Sequence, residues 1–185
     1  MLTDQEKEEI DKEIAKFPHK HNACLDALMS VQRHRGYISD DTLVAVADYL
    51  AMSATELDGI ASFYNLIFRR PVGKSVIRLC DSVSCWIMGY RKIVEEIKNE
   101  LNIGFGETSA DEKFTLLPAQ CLGVCDKAPA MMINERLYTN LNGETLKEIL
   151  MQESVGSGHD ATSYGTDEKR RPGSKSKGFP VGSGV

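Results

Sequence analysis

Four of the five cysteines in this 185-residue chain form two closely spaced pairs. Cys80 and Cys85 are separated by four residues, and Cys121 and Cys125 by three. Cysteine thiolates are soft ligands, which suit zinc and iron–sulfur clusters better than magnesium or calcium. The two pairs therefore predict a metal centre with four thiolate ligands.

The spacing within the pairs narrows the choice of centre. Structural zinc sites and thiol–disulfide active sites commonly use the pattern C-x2-C, which neither pair has. Bacterial [4Fe–4S] sites repeat that pattern, and a Rieske centre needs two histidine ligands, whereas all four histidines here lie outside the cysteine pairs. A [2Fe–2S] cluster is therefore favoured, with structural zinc as the alternative.

The fifth cysteine, Cys24, is predicted to be a packing residue. It stands between Ala23 and Leu25 in an apolar helical pattern, and a free cysteine commonly behaves as a small buried apolar residue. The paired cysteines instead lie among turn-forming residues. One of these, Gly123, is expected either to bring a backbone amide close to the cluster or to act as an ordinary turn glycine.

Charge and hydropathy exclude several classes of protein. A formal net charge of −5 argues against a nucleic-acid-binding protein, which needs a basic surface. No run approaches the roughly 18 apolar residues of a membrane helix, and the acidic start is unlike a secretion signal. We therefore expect a cytoplasmic protein without direct membrane insertion, in which thiols serve as ligands rather than as disulfides.

Motifs for substrate chemistry are missing from the sequence. It contains neither G-x-G-x-x-G after a strand nor G-x4-G-K-[ST], and no Ser/His/Asp or Cys/His set adjoins the cysteine pairs. The chain is thus expected to carry no complete active site and to bind no nucleotide through a known motif. It would pass single electrons to or from a partner that performs two-electron chemistry.

Residues 1–73 are predicted to form a helical bundle domain. Three of its four helical patterns begin at capping residues, which are Thr3, Ser39 and Ser53, and the second pattern closes at Gly36. The first pattern is expected to end near Pro18. A connection rich in helix-breaking residues, 69–73, follows the bundle.

Residues 74–153 are predicted to form a thioredoxin-like domain, which makes the chain α+β. Two strands and the helix between them form a right-handed βαβ unit, so that the strands are parallel and the two cysteine segments lie side by side at their ends. An antiparallel hairpin and a last helix capped by Asn142 complete the order β-α-β-β-β-α. The predicted elements are 75–80, about 86–101, 114–117, 130–133, 136–138 and the helix after 142.

The remaining residues, 154–185, are predicted to form a flexible tail. Fifteen of these 32 residues are Gly, Ser or Pro, and none is Leu, Ile or Met, so the segment cannot build a core of its own. It is expected to be either a solvated extension or a weakly basic arm that binds a partner.

Seven short segments resemble one family, the thioredoxin-like [2Fe–2S] subunit (the E subunit) of bacterial respiratory complex I. The similarity covers about residues 6 to 151, and the tail has no counterpart. The segments are 35–38 (RGYI), 59–64 (GIASFY), 70–73 (RPVG), 80–85 (CDSVSC), 114–117 (FTLL), 121–129 (CLGVCDKAP) and 131–134 (MMIN).

This resemblance implies a cofactor, its ligands and a partner. The cluster ligands of the family fall on Cys80, Cys85, Cys121 and Cys125. The family subunit docks on a flavin-bearing, NADH-oxidising subunit that holds FMN and NADH, within the peripheral arm of a complex on the cytoplasmic face of the inner membrane. As such a subunit, the chain would belong to a proton-translocating NADH:quinone oxidoreductase.

Two alternatives share the same four cysteines. Equivalent subunits serve NAD-linked hydrogenases and formate dehydrogenases, and a free-standing thioredoxin-like ferredoxin diffuses as a carrier. A bundle such as that predicted for residues 1–73, able to clasp another subunit, favours a bound subunit over the carrier.

Overall fold

The structure, a computed structural model, describes residues 1–155. Within this range the chain forms seven α-helices and one four-stranded sheet, which confirms the predicted α+β class. Helices α1 to α4 precede the first strand. They span Asp4–Ile14, Cys24–Arg35, Asp40–Leu50 and Ala54–Phe63, and a 3₁₀ turn at Lys20–Ala23 leads into α2.

The predicted capping residues begin three of these helices. Thr3 and Glu6 form a complete capping box at α1, in which each side chain accepts a hydrogen bond from the other residue's amide, at 2.7 and 3.2 Å. The hydroxyls of Ser39 and Ser53 accept amide hydrogen bonds at the starts of α3 and α4. Gly36 follows α2 with a φ of 78°, as predicted from its place after the helical pattern.

The four helices pack their apolar faces into one hydrophobic cluster. The Glu6 carboxylate is buried beside it and accepts hydrogen bonds from the guanidinium of Arg35 at 2.6 and 2.7 Å. This contact with Arg35 lowers the pKa of Glu6 to about 2. The fully buried apolar members of the cluster are Ile10, Ala27, Leu28, Val31, Ile38, Val46 and Leu57.

The ends of the helices differ from the predictions. Helix α1 ends at Ile14 rather than near Pro18, because the amides of Lys16 and Phe17 bond carbonyls only three residues back, which tightens the last turn. The Phe17 side chain is exposed in that turn. At the end of α4, Phe63 is 81% exposed although its spacing matches that of buried Leu57. Helical spacing therefore identifies the helices but not the burial of their last residues.

The strands form a sheet with the order β2-β1-β3-β4. Strands β1 and β2 are parallel, and β3 and β4 form the predicted antiparallel hairpin. Strand β2 continues past its predicted end through Pro118, and a proline is tolerated there because β2 is an edge strand. The strands span Ser75–Cys80, Phe114–Ala119, Met131–Ile133 and Arg136–Tyr138.

The single helix predicted for residues 86–101 is in fact two helices. Helix α5 spans Val83–Ile87 and helix α6 spans Tyr90–Leu101, and Gly89 between them has a φ of 110°. This left-handed conformation, which glycine adopts readily, interrupts the helical path. As a result Ile87 is 70% exposed, although in one continuous helix it would lie on the same face as Ile93, which is buried in the core of the sheet.

Gly73 leads the chain from the helices into the sheet. Its amide donates a hydrogen bond to the hydroxyl of Thr115 at 2.7 Å. A Cβ atom at this position would lie 2.8–2.9 Å from the backbone of Lys113 and Phe114. Only glycine permits this approach without a shift of the backbone, so the connection is held against the start of β2.

Helix α7 spans Gly143–Val155 and begins, as predicted, after Asn142, whose side-chain oxygen accepts from two amides of its first turn. It extends two residues beyond the predicted start of the tail. The other residues of that tail, 156–185, lie outside the described residues. The division into a bundle at 1–73 and a second domain at 74–153 stays a prediction.

No helix among residues 1–155 is both long and apolar enough to cross a membrane.

Candidate metal centre

The two cysteine pairs lie at the same edge of the sheet because β1 and β2 are parallel. Cys80 is the last residue of β1, and its partner in the register is Ala119, the last residue of β2. Cys121 follows two residues later. The amide of Asp81 donates a hydrogen bond to the carbonyl of Ala119 at 2.9 Å. The two segments that carry the cysteine pairs are therefore adjacent where they leave the sheet, as the sequence predicts.

The first pair of cysteines is buried. Cys80 is 2% exposed and Cys85, within helix α5, is 3% exposed. Both pack against Ala128 and Ala130 in a small cluster separate from the main core of the sheet. The Cys80 amide bonds the carbonyl of Ala130 at 3.1 Å, which joins the first cysteine segment to the chain beyond the second pair.

The second pair of cysteines is exposed to solvent. The Sγ atoms of Cys121 and Cys125 lie 3.3 Å apart. Gly123 turns the chain between them with a φ of 80°, and its amide donates a hydrogen bond to the Cys121 sulfur at 3.4 Å. Gly123 is thus a turn glycine that also directs an amide toward a sulfur atom, which combines features of both predicted roles.

Hydrogen-bond donors from both segments point at the sulfur atoms. The Cys80 sulfur accepts from the amides of Ser82 and Leu122, and the Cys85 sulfur accepts from the amide of Ala130. Leu122 lies between the cysteines of the second pair, so its amide reaches across to the first pair. Such donors stabilise a thiolate more than a neutral thiol.

In each pair one thiol ionises more readily than the other. Burial opposes ionisation of Cys80, but hydrogen bonds from the Ser82 hydroxyl and from backbone amides outweigh it and lower the Cys80 pKa. Burial and then the adjacent Cys80 raise the pKa of Cys85 to about 11. Likewise the Gly123 amide lowers the pKa of Cys121, and Cys121 in turn raises the pKa of Cys125. In each pair, ionisation of one thiol therefore opposes ionisation of the other. A bound cation would offset this repulsion and allow neighbouring thiolates to coexist.

The arrangement in pairs suits two metal atoms better than one. A single zinc ion binds four thiolates at about 2.3 Å, so all four sulfurs would lie within about 4 Å of one another. Among residues 1–155, no three or more His, Cys, Asp or Glu side chains converge on one metal position. Cys80 is nevertheless close enough to the second pair to oppose ionisation of Cys121 and Cys125. A [2Fe–2S] cluster ligated only by cysteine has two irons held by four thiolates, which fits this donor set.

Cys24 is partly buried and lies in the helical half of the chain. It is the first residue of α2 and packs, partly exposed, against the hydrophobic cluster of the helices. Burial raises the pKa of its thiol. This placement agrees with the packing role predicted for it.

Sequence reasoning missed two hydroxyl groups beside the cysteines. The Ser82 oxygen accepts a hydrogen bond from the Cys80 thiol at 3.5 Å. The Ser82 hydroxyl also acts to lower the pKa of Cys121, and the Ser84 hydroxyl acts to lower that of Cys125. The only sequence signal for them is that both serines lie between Cys80 and Cys85.

An exposed apolar surface on helix α5 was also missed. Its side chains adjoin buried Cys85, and the guanidinium of Arg91 lies 5.1 Å from the centre of the Trp86 ring. The sequence pattern placed one of them, Ile87, on one face of a continuous helix, which the break at Gly89 interrupts. The residues of this α5 surface are Val83, Trp86, Ile87 and Met88.

Comparison with known proteins identifies similar sequences along most of the chain. A family model described as thioredoxin-like [2Fe–2S] ferredoxin matches residues 10–154. The E subunit of NADH-quinone oxidoreductase from Escherichia coli (strain K12) is 44% identical over 149 residues, which cover 80% of this chain and 90% of that protein. The protein of the same name from Pseudomonas aeruginosa is 40% identical over 150 residues, covering 81% of this chain and 90% of that one.

Among solved structures, an NAD+-reducing [NiFe]-hydrogenase in the air-oxidized state has a similar fold. The TM-score is 0.59 at 22% sequence identity, and the match covers 69% of this chain and 22% of the hydrogenase chain. At this identity the likeness concerns the fold alone.

Proposed function

Because this chain belongs to the thioredoxin-like [2Fe–2S] ferredoxin family, we propose that it is the electron-transferring E subunit of an NADH-quinone oxidoreductase. Membership confirms the resemblance that the sequence motifs indicated. The observation that carries the proposal is the pairing of four thiols at the ends of two adjacent parallel strands. The similarity to E subunits of this oxidoreductase over 90% of their length supports the same role.

The ligands in this proposal are the four paired cysteines. Cys80 and Cys85 would hold one iron from the buried side, and Cys121 and Cys125 would hold the other from the exposed side. A [2Fe–2S] cluster, when bound, accepts and releases one electron at a time. The chain's part is to supply the thiolates, to direct amides toward the sulfurs and to exclude water from the buried pair.

The proposed partner is the flavin-bearing subunit that oxidises NADH and holds FMN, within the peripheral arm of the complex. Electron exchange requires a partner close to the centre, and the exposed second pair leaves that side accessible. The α5 surface lies beside the same centre and supplies apolar area for a contact. Such a complex would place this chain on the cytoplasmic face of the inner membrane without insertion of its own.

An NAD-linked hydrogenase or a formate dehydrogenase is the alternative complex, and a free-standing ferredoxin is a further one. The oxidoreductase is preferred because relatives bearing that name are 40–44% identical. The hydrogenase chain, by contrast, is 22% identical and shares the fold.

The proposal is tested by metal analysis and by isolation of the intact complex. The purified full-length chain should contain about two irons and two acid-labile sulfides, and should give a low-temperature electron paramagnetic resonance (EPR) signal after reduction with dithionite. Isolated from its own cells, it should accompany an activity that reduces quinone with NADH. Zinc in place of iron would refute the electron-transfer role, and accompanying hydrogenase or formate dehydrogenase activity would favour the alternative.

A further inference from the structure

Three serines precede helices with almost the same backbone conformation, but only two of them cap their helix. Ser39 has φ −72° and ψ 167°, and its hydroxyl accepts from the Thr42 amide at 3.3 Å. Ser53 has φ −75° and ψ 146°, and its hydroxyl accepts from the Glu56 amide at 3.2 Å. Ser82 has φ −72° and ψ 166°, yet within residues 1–155 its hydroxyl makes no capping hydrogen bond to α5.

The hydroxyl of Ser82 turns toward the cysteines instead. It lies 3.5 Å from the Cys80 sulfur, and the Cys80 thiol donates a hydrogen bond to the serine oxygen. As a cluster ligand Cys80 is a thiolate with no hydrogen to donate, so the serine hydroxyl then becomes the donor. A capping hydrogen bond stabilises a helix by about 1 kcal/mol. Because the Ser82 hydroxyl turns away from α5, this helix lacks that stabilisation.

The contact gains strength when the sulfurs carry charge. A hydroxyl has one hydrogen to donate, and a thiolate accepts it more strongly than a neutral thiol does. Ser82 is only partly buried, but the Cys80 sulfur that it contacts is 2% exposed. Hydrogen bonds to ligand sulfurs are among the factors that set the reduction potential of iron–sulfur clusters, because they favour the more negative, reduced form.

We infer that Ser82 is a tuning residue whose hydroxyl, donated to the thiolate of Cys80, raises the reduction potential of the cluster. This inference rests on the proposed function, since it requires a [2Fe–2S] cluster on the four cysteines. Ser82 acts through the ligands and does not itself take up an electron.

The experiment compares variants that differ in the hydroxyl while keeping the shape of the side chain. Ser82→Thr keeps the hydroxyl, and Ser82→Val has the shape of threonine without it; Ser82→Ala removes the hydroxyl with the smallest change in volume. The midpoint potential of each full-length, cluster-loaded protein is measured by an EPR-monitored redox titration. Ser53→Ala is the matched control, because it removes a helix-capping hydroxyl from the helical half of the chain.

We expect a more negative potential in Ser82→Ala and Ser82→Val. At a fixed potential the ratio of reduced to oxidised cluster should fall about tenfold, which corresponds to about 59 mV for a one-electron couple. Ser82→Thr and Ser53→Ala should match the wild type. If Ser82→Ala does not retain its cluster, the difference in potential between Ser82→Thr and Ser82→Val tests whether the hydroxyl raises the potential.

Two results would overturn the inference. One is an equal potential for Ser82→Thr and Ser82→Val, and the other is loss of the cluster from both variants without the hydroxyl, which would make Ser82 a requirement for assembly. Failure of the proposed function is a distinct result, because the wild-type chain would then contain no [2Fe–2S] cluster to titrate.

Discussion

The Sγ atoms of Cys121 and Cys125 lie 3.3 Å apart on the exposed side of the centre. The other pair, Cys80 and Cys85, is almost completely shielded from water. The two halves of the centre therefore differ in environment although their ligands are chemically identical. The second pair is open to solvent, whereas the first pair is protected by the fold.

Replacement of any paired cysteine by serine should remove or strongly alter the cluster. A serine hydroxyl is much harder to ionise than a thiol and is a harder ligand, so it holds iron poorly. We would measure iron and sulfide per chain and the EPR spectrum of dithionite-reduced protein for all four variants. A normal signal with about two irons in any of them would show that the replaced cysteine is not a ligand.

Cys24→Ser is the matched control for these variants. Cys24 packs at the start of α2 and is partly exposed, so the added hydroxyl should cost about 1 kcal/mol of stability at most. Its iron content and EPR signal should equal those of the wild type. Loss of the signal in this variant would show that Cys24 is needed for the cluster.

Alanine substitutions at Gly89 and Gly59 should change stability in opposite directions. Both positions have open space around an added Cβ, but Gly89 has a φ of 110°, whereas Gly59 lies exposed in the regular helix α4. Gly89→Ala should therefore destabilise by about 1–2 kcal/mol, and Gly59→Ala should stabilise by about 0.5–1 kcal/mol. Urea unfolding followed by circular dichroism measures both, and a stabilising Gly89→Ala would contradict the left-handed break between α5 and α6.

Acid should weaken the helical half of the chain through Glu6. Its pKa falls from 4.5 to about 2 on folding, because Arg35 hydrogen-bonds its carboxylate. A carboxyl group with a lowered folded pKa adds stability above its unfolded pKa and loses it as the pH falls toward its folded pKa. The stabilisation, about 3 kcal/mol, should thus be complete above about pH 5 and should disappear between about pH 4.5 and pH 2.

The test compares the urea unfolding of wild type and Glu6→Gln at several pH values. The difference between them should be large near neutral pH and should shrink steadily in acid. Asp4→Asn is the control, because Asp4 is fully exposed in its pair with Lys7 and should contribute little at any pH. A difference that is constant with pH would show that Arg35 does not perturb Glu6.

Truncation should separate the tail from helix α7. The Glu153 carboxylate accepts hydrogen bonds from Tyr138 at 2.7 Å and from Arg136 at 3.1 Å, which ties α7 to β4. Deletion after Val155 should leave cluster content and the unfolding midpoint unchanged. Deletion after Gln152 removes these bonds and should destabilise by about 1–3 kcal/mol.

Glu153→Ala in the full-length chain should reproduce most of the loss seen after the shorter truncation. If deletion after Val155 were to abolish the cluster while the protein remained soluble, residues 156–185 would have to take part in the fold.

Most elements of this fold can be predicted because local chemistry determines them. Thr3, Ser39 and Ser53 begin helices by capping, and Gly36 ends one, as their positions in the sequence indicate. The bounds of β1 agree with the prediction to the residue. The sequence spacing of the cysteines and the parallel pairing of β1 with β2 were likewise sufficient to bring the two segments together.

The features that escaped prediction depend on a backbone angle or on contacts between distant segments. The positive φ of Gly89 splits a continuous helical pattern and leaves Ile87 exposed, although the sequence there is compatible with one helix. Glu153 holds the end of α7 through residues of β4, which no local pattern reveals. The Ser82 hydroxyl contacts the Cys80 sulfur instead of capping α5, although the backbone of Ser82 matches that of the capping residue Ser39.

The parallel pairing of β1 and β2 also sets the order in which this protein can mature. The ribosome completes Cys80 and Cys85 before the residues of β2 and the second pair exist, and parallel strands associate only after the long connection between them has been made. No nascent chain that stops short of Cys125 can offer all four thiols. Delivery of iron and sulfide to all four ligands is therefore a late event, which follows the synthesis of β2 and of Cys125.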